Sequence, residues 1–470
     1  MTRNAHGKKT GDVPQSFFTR YFHRSWNPFA IPFVVVLLIS LFVVWSEETR
    51  VMVEMRSWSL DLFWAVSHFV HRPPATSNDI FIVGITDSDY RNPHLFDSRS
   101  PLDPDGVKRL LTEVLSQNPK VVAVDLDTKD YTVWARVVGS HCQVQDGSGL
   151  PIEIYRLPSK TLGPKISLPK AVWARLPVES GSGKPESPEQ PIQLYQVLGG
   201  CAGDALNDFS GVPRFPLDAD GVVRRYVDEF RIDNGGKDGK DAKTDKVGSF
   251  AYVVAEKYRP GIGAEEKARL LNFGNKKCFQ QITAGELLGK ATENVAEGCD
   301  NSKMTVNDWK NKVQDQIVLI GGEFEDSRDA HDSTPAEAFL PQPLFGVELN
   351  AMAIDTDLNG GAITEIPRLA GFFLDLLVGT LFVWIFFVLV DSPLPRVDHF
   401  IQHPRKFWIL KKLKPRLVLF LGATVLTFLI AIGLSWAFYL SSHWMSFIPI
   451  LLGANIHQYI AHAEKIREQE

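Results

Sequence analysis

The sequence predicts an α/β domain with a mainly parallel sheet, held outside the cytoplasm, plus an all-α transmembrane part of four helices. Three observations carry that expectation. Short, nearly unbroken apolar runs end in acid or glycine: Ile80–Asp87, Lys120–Asp127 and Gln316–Gly322. Such runs suit parallel strands buried on both faces, with polar groups at their carboxyl ends. Other apolar blocks are long and almost uncharged, with basic residues gathered on one side of them. All four cysteines lie between the first and second of these blocks.

The blocks come first. Pro28–Trp45 has no charge over 18 residues, Leu369–Val390 has only Asp375, and Leu417–Leu440 has none. His443–Ile460 is weaker but uncharged if its histidines are neutral. Crossing ~30 Å of hydrocarbon takes ~20 apolar residues, so all four are read as spans. A mean hydropathy of −0.06 and a net charge of −5 hide them, because the apolar residues are concentrated. A signal peptide is the rival for the first block. Its long leader, long apolar run and the "WSEETR" that follows favour an uncleaved anchor.

Basic flanks set the orientation. Arg3, Lys8, Lys9, Arg20 and Arg24 precede the first span, Arg396 to Arg416 holds seven basic residues, and Lys465 and Arg467 follow the last. The expected order is a cytoplasmic tail (1–26), a span (27–45), an extracytoplasmic domain (46–368) and a second span (369–390). A basic cytoplasmic loop (391–416), spans at 417–440 and 443–460, and a cytoplasmic tail (461–470) complete it. That is a multi-pass protein of the cell (inner) membrane with a periplasmic main domain and lipid as a partner. Cys142, Cys201, Cys278 and Cys299 then sit in an oxidising compartment where disulfides persist. Cys142–Cys201 with Cys278–Cys299 is the pairing preferred by sequence proximity, and free buried thiols are the alternative.

Within the outer segment, "MVEMRSWSLDLFWAVSHFVHRPP" has near-helical apolar spacing and stops at Pro73 and Pro74. Between the first two strands, Val107, Leu110, Leu111, Val114 and Leu115 form one stripe of a helix, which makes a βαβ unit. Further helices are expected from Ser249 and over "LFGVELNAMAIDTDL". Val178–Pro191 and Asp233–Gly248 are rich in Gly, Pro, Ser and charge and read as surface loops. "PLDPDGV" at Pro101 recurs as "PLDADGV" at Pro216. Neither copy has the third acid and closing glutamate of a helix-loop-helix calcium site. The first reads as a carboxylate N-cap, the second as an Asp-Gly turn entering a strand.

The order of "LDLFWAVSHFVHRPP", "IFIVGITDSDY", "VDLD", "DADGVVRRYVDEF", "QIVLIGGEFEDSRDAHDSTP" and "LFGVELNAMAIDTDLNGG" resembles the second class of CHASE domains, sensory extracellular modules associated with cyclases and histidine kinases. The resemblance covers roughly Asp61 to Gly361 and implies a sensory domain followed by membrane helices. This sequence departs from the pattern in "ITDSDY" and in larger, cysteine-bearing loops. Such domains usually feed a cytoplasmic output domain. Here the sequence ends ten residues after the last span, so a separate output protein is expected.

Asp87 and Asp89 follow the first strand, Asp125 and Asp127 the second, and Asp326, Asp329, His331 and Asp332 the last. Parallel neighbours would bring these groups to one carboxyl edge, where open α/β sheets bind ligands. They are the ligand- or metal-binding candidates. No cofactor is predicted, though the acids could hold a divalent cation and His331 could add a pH-sensitive ligand. The alternative is that Asp329, His331 and Thr334 hydrogen-bond a long loop into place. Arg224 and Arg225 are charge partners for this edge, or else part of an exposed strand face. Asp375 is an intramembrane acid, costly unless paired. Asp125 and Asp127 have the spacing of a phosphatase nucleophile pair, but Thr128 falls one place early and no later G-D-x-x-x-D follows. No catalytic residue is assigned, and no phosphate loop, zinc spacing or nucleic-acid surface appears. The expected function is a non-enzymatic sensory or regulatory one, with a homo-oligomer or a separate output protein as partner. A structural or assembly subunit with the outer domain as scaffold is the alternative.

Overall fold

The computed structural model describes residues 49–70, 76–127, 135–138, 141–145, 151–152, 170–174, 210–232, 245–265, 267–273, 278–290, 305–327, 329–333, 342–359, 363–367 and 415–441. It also describes most of 369–381 and scattered positions in 34–46 and 443–446. The chain divides into two units, one of which takes Glu54–Glu365 together with Tyr439–Trp444. The other takes residues 1–53, 366–438 and 445–470.

In chain order the larger unit opens with α1 (Arg50–Val70, shared with the other unit), β1 (Thr76–Thr86), α2 (Asp87–Arg91), α3 (Pro104–Ser116) and β2 (Val121–Asp125). A three-stranded antiparallel meander follows, of β3 (Ala135–Val138), β4 (His141–Gln145) and β5 (Pro151–Ile152). Next come β6 (Lys170–Ala174), β7 (Ser210–Gly211), β8 (Arg225–Tyr226), β9 (Glu229–Ile232), β10 (Asp245–Gly248) and α4 (Phe250–Tyr258). Then come β11 (Arg269–Leu270), β12 (Cys278–Thr283), α5 (Ala284–Leu287), α6 (Val306–Lys312) and β13 (Ile317–Glu323). The remainder is β14 (Ala330–Ser333), β15 (Gln342–Phe345), α7 (Gly346–Asn359), β16 (Thr364–Glu365) and β17 (His443–Trp444), while α8 (Pro415–Leu440) belongs to the other unit except for its last two residues.

The main sheet has six strands in the order β12-β1-β13-β2-β6-β7, every pair parallel. The three apolar runs legible in the sequence are its adjacent centre. Their continuous apolarity has a direct cause, because both faces are covered by helices. Phe81, Val83, Val122, Val124, Val318 and Ile320 point into the core shared with Val107, Leu110 and Val114 of α3 and with Trp309 of α6. The alternate residues Ile80, Ile82, Ala123, Ile317 and Leu319 are fully buried on the opposite face, where α4 and α7 pack. On that face Gly321 makes the close approach. A Cβ there would stand 2.4 Å from Cβ of Val347 on α7. Gly321→Ala is therefore expected to force α7 off the sheet and to destabilise by about 1–3 kcal/mol, the usual cost of overpacking. Thermal melting of the purified chain checks this.

Capping explains where the helices begin. Asp103 accepts from Gly106 N at 3.2 Å, so the first aspartate turn is an N-cap. Ser249 caps α4 through Tyr252 N at 3.2 Å. The second turn holds Gly221 at φ +83°, and Asp220 accepts from Val222 N at 3.2 Å.

Two boundaries differ from expectation. Asp233–Gly248 is not a loop throughout, because Asp245–Gly248 is strand β10, antiparallel to β9. Its Val247 is buried with Val212, Val227 and Phe230, a long-range packing gain that composition does not carry. His443–Trp444 does not begin a span either. It pairs in parallel with β16, and Trp444 is buried against Phe63 with ring centroids 4.9 Å apart.

Of the expected spans, the third coincides with α8, 26 residues long as a backbone element. Its side chains are described at Gly422, Val425, Leu426 and from Phe428 on. Among the described residues no helix is long and apolar enough to cross a membrane. Asp375, Cys201, Cys299, the loop Val178–Pro191, the basic loop 391–416 and both tails lie outside the described residues, as does nearly all of 445–460. Cys142 enters only as a position on β4, and Cys278 is disulfide-bonded.

Candidate functional site

Because β1, β13 and β2 are parallel neighbours, their carboxyl ends stand side by side. Thr86 is opposite Glu323, and Gly321 is opposite Asp125. Asp125 and Glu323 share the face on which α7 packs, and α7 supplies the polar groups that meet them. Asn350 Nδ2 donates to Asp125 Oδ2 at 2.7 Å in a buried contact. Burial, and then the charge of Asp329, pushes the Asp125 carboxyl well above its ordinary range, with the Asn350 hydrogen bond opposing. Glu323 lies across Gly84, where a Cβ would stand 2.3 Å from its Oε2. Its Oε2 accepts from Gln281 of β12, while its buried Oε1 has no hydrogen-bond partner among the described residues. Burial first, then the neighbouring charges of Glu348 and Asp89, raises this carboxyl to about 8.

Asp89 is buried and ties the edge together. It caps α2 through Thr86 N at 3.2 Å and accepts from Gly285 N of α5 at 3.0 Å. Desolvation raises its pKa despite these hydrogen bonds. Asp329 covers the start of α7, where a Cβ on Gly346 would stand 2.3 Å from its Oδ2 and where Gly346 N donates to its main-chain oxygen at 2.8 Å. His331 Nε2 stands 3.3 Å from Asp329 Oδ1 and is about a third exposed. Asp87 accepts from Glu325 N at 3.3 Å and is half-exposed, and Asp127 lies two residues beyond β2, partly exposed.

The expected edge therefore forms, with Asp89, Asp125 and Asp329 at its centre and Asp87, Asp127 and His331 at its rim. Among the described residues no group of three or more His, Cys, Asp or Glu could hold a metal ion. Asp89 and Asp125, whose pKa values burial raises, serve as buried hydrogen-bonding groups, and Asp125 is engaged by Asn350 rather than presented as a nucleophile beside Asp127. Sequence reasoning missed Glu323, Glu348 and Asn350. The only signal for Asn350 was its place in the "GVELNA" helix.

Arg224 and Arg225 lie elsewhere. Arg224 is 1% exposed and makes a two-pronged contact to Asp61 of α1 at 2.8 and 2.7 Å. It also reaches Asp218 at 3.2 Å and Asp220 at 2.8 Å, so the second aspartate turn is a cradle for its own downstream arginine. Burial works against the charged guanidinium, yet Asp61 and Asp220 hold its pKa above the ordinary value. Arg225 binds Asp218 and, at 2.7 Å, Glu365, which also takes Arg56 of α1 at 2.8 Å. The acidic edge and an exposed strand face were the two expectations for the pair. The actual partners are Asp61, Asp218, Asp220 and Glu365.

One residue further, Tyr226 donates to Asp357 at 2.8 Å. Arg269 bridges Asp228 and Asp357, and its guanidinium lies 4.7 Å from the Tyr226 ring centroid. Burial, opposed by Arg269 and reinforced by Asp228, raises Asp357 to about 6.

Comparison with curated proteins and with solved structures finds no match. The family model described as the CHASE2 domain matches residues 34–390, well over half of the chain, and the chain belongs to that family.

Proposed function

We propose that this is an integral membrane sensory protein. Its CHASE2 domain stands outside the cytoplasm, takes a small polar ligand or a partner at the carboxyl edge of the sheet, and passes the change to a separate protein at the membrane or in the cytoplasm. The family match carries the reading, since CHASE2 is an extracellular-type sensory domain rather than a catalytic one. The placement of Asp89, Asp125, Glu323 and Asn350 at the strand ends supports the choice of site, because open α/β sheets bind ligands there. Charge-free blocks with basic residues on one side support the membrane part and the orientation. A reporter enzyme active only outside the cytoplasm, fused between Glu365 and Leu369, is expected to be active. Activity confined to a cytosol-requiring reporter at the same junction would refute the orientation.

A further inference from the structure

The larger unit begins at Glu54, ends at Glu365 and takes back Tyr439–Trp444, so the chain crosses its boundary in α1, after β16 and around β17. These crossings are tied to one another. Arg56 of α1 and Arg225 of β8 grip the two oxygens of Glu365, at 2.8 and 2.7 Å. β16 pairs with β17, and Phe63 of α1 packs on both Tyr439 and Trp444, at 5.2 and 4.9 Å between centroids. Four carboxylates, of Asp61, Asp218, Asp220 and Glu365, face three guanidiniums, of Arg56, Arg224 and Arg225.

The same arginine strand is joined to the carboxyl edge by two routes. On one side Val223 N donates to Asp332 O at 2.8 Å, and β14 continues back to Asp329, whose main-chain oxygen receives Gly346 N. On the other side α7 is a single helix with Asn350 on Asp125 near one end and Asp357 on Tyr226 near the other. The strand also reaches the exit through two main-chain hydrogen bonds. Leu271 N donates to Arg224 O at 2.9 Å, and Leu270 N donates to Ile363 O at 3.0 Å, two residues before Glu365.

We propose that Arg224 and Arg225 form a clamp that couples the carboxyl edge to the chain crossings: displacement of α7 or β14 at the edge shifts the arginine strand and loosens Glu365 from Arg225 and Arg56. The two states are a clamped exit strand and a released one, and any ligand at the edge acts by favouring one of them. The proposal rests on the sensory reading for its purpose. The coupling itself is a property of the fold, and its absence would leave the reporter result unchanged.

Hydrogen exchange of the full chain in detergent, read by mass spectrometry, tests it. Asn350→Leu removes the donor to Asp125. It is expected to speed exchange at 363–367 and 439–446 by about fivefold, the lower end of ordinary coupling. Glu365→Gln opens the clamp by itself and, because coupling between two sites is reciprocal, is expected to speed exchange at the strand ends 121–125 and 317–323 as well. In that background Asn350→Leu should add little at 363–367. Arg225→Gln, at a partly exposed side chain, serves as the second clamp variant. Exchange at 363–367 unmoved by Asn350→Leu overturns the proposal. So does an equal acceleration with and without the clamp.

Discussion

Arg224→Ala is expected to cost about 3–5 kcal/mol, enough to unfold much of a domain whose total stability is on the order of 5–15 kcal/mol. The size follows from what is left behind. Asp61 and Asp218 have side chains only 9% and 6% exposed, and Arg224 is the cation between them. Removing it takes the two-pronged partner from the buried Asp61 carboxylate and leaves Asp218 to Arg225 alone, and breaking one side of a buried ion pair costs more than the pair is worth. Two comparisons isolate that cause. Replacing Asp61 and Arg224 together by leucine should be milder than Arg224→Ala, because it removes both charges. Arg225→Ala should cost no more than about 1 kcal/mol, since Arg225 and Glu365 are each a quarter or more exposed and screened, and Asp218 keeps Arg224. Thermal melts of the purified variants check the ranking. An Arg224→Ala chain as stable as Arg225→Ala would contradict the buried-charge account.

That network shows where sequence reading stops. The centre of the sheet was legible because strands covered on both faces must be apolar throughout, and Ile80–Ile85, Val121–Val124 and Ile317–Ile320 are. The helices were legible from their apolar stripes, from an aspartate cap at Asp103 or Asp105 and from a start near Ser249, and the structure makes Asp103 and Ser249 the caps. β12, by contrast, reads "CFQQIT". It is an edge strand with four partly exposed residues, so no periodicity announces it. Partners across long separations leave no spacing signal at all. Asp61 and Arg224 are 163 positions apart, and Asp125 and Asn350 are 225 apart. The convergence of Asp89, Asp125 and Asp329 followed from strand order, which could be inferred. The burial of Glu323 followed from what β12 and α7 bring onto it, which could not.

Glu323 gives the clearest pH signature. Its carboxyl is raised from 4.5 to about 8, so between those values the folded chain keeps a proton that the unfolded chain has lost. The stability it contributes is fully present below 4.5 and is lost as pH rises through about 8. The loss is on the order of a few kcal/mol, set by the raised pKa at 1.36 kcal/mol per unit. Gln281, Glu348 and Asp89 are the groups that face it, and only Gln281 favours the charged form. Asp357 acts in the same direction but is exhausted earlier, at about 6. Asp220, held low by Arg224 against burial, acts oppositely and only as pH falls towards the ordinary carboxylate range and below. Glu323→Gln keeps the shape and an acceptor for Gln281 while removing the proton. The wild-type melting temperature should therefore decline between about pH 6 and pH 9 more steeply than that of Glu323→Gln, and the variant should be the more stable of the two at the alkaline end. Parallel curves for the two chains would mean that Glu323 ionises freely, and that the carboxyl edge is wetter than its packing requires.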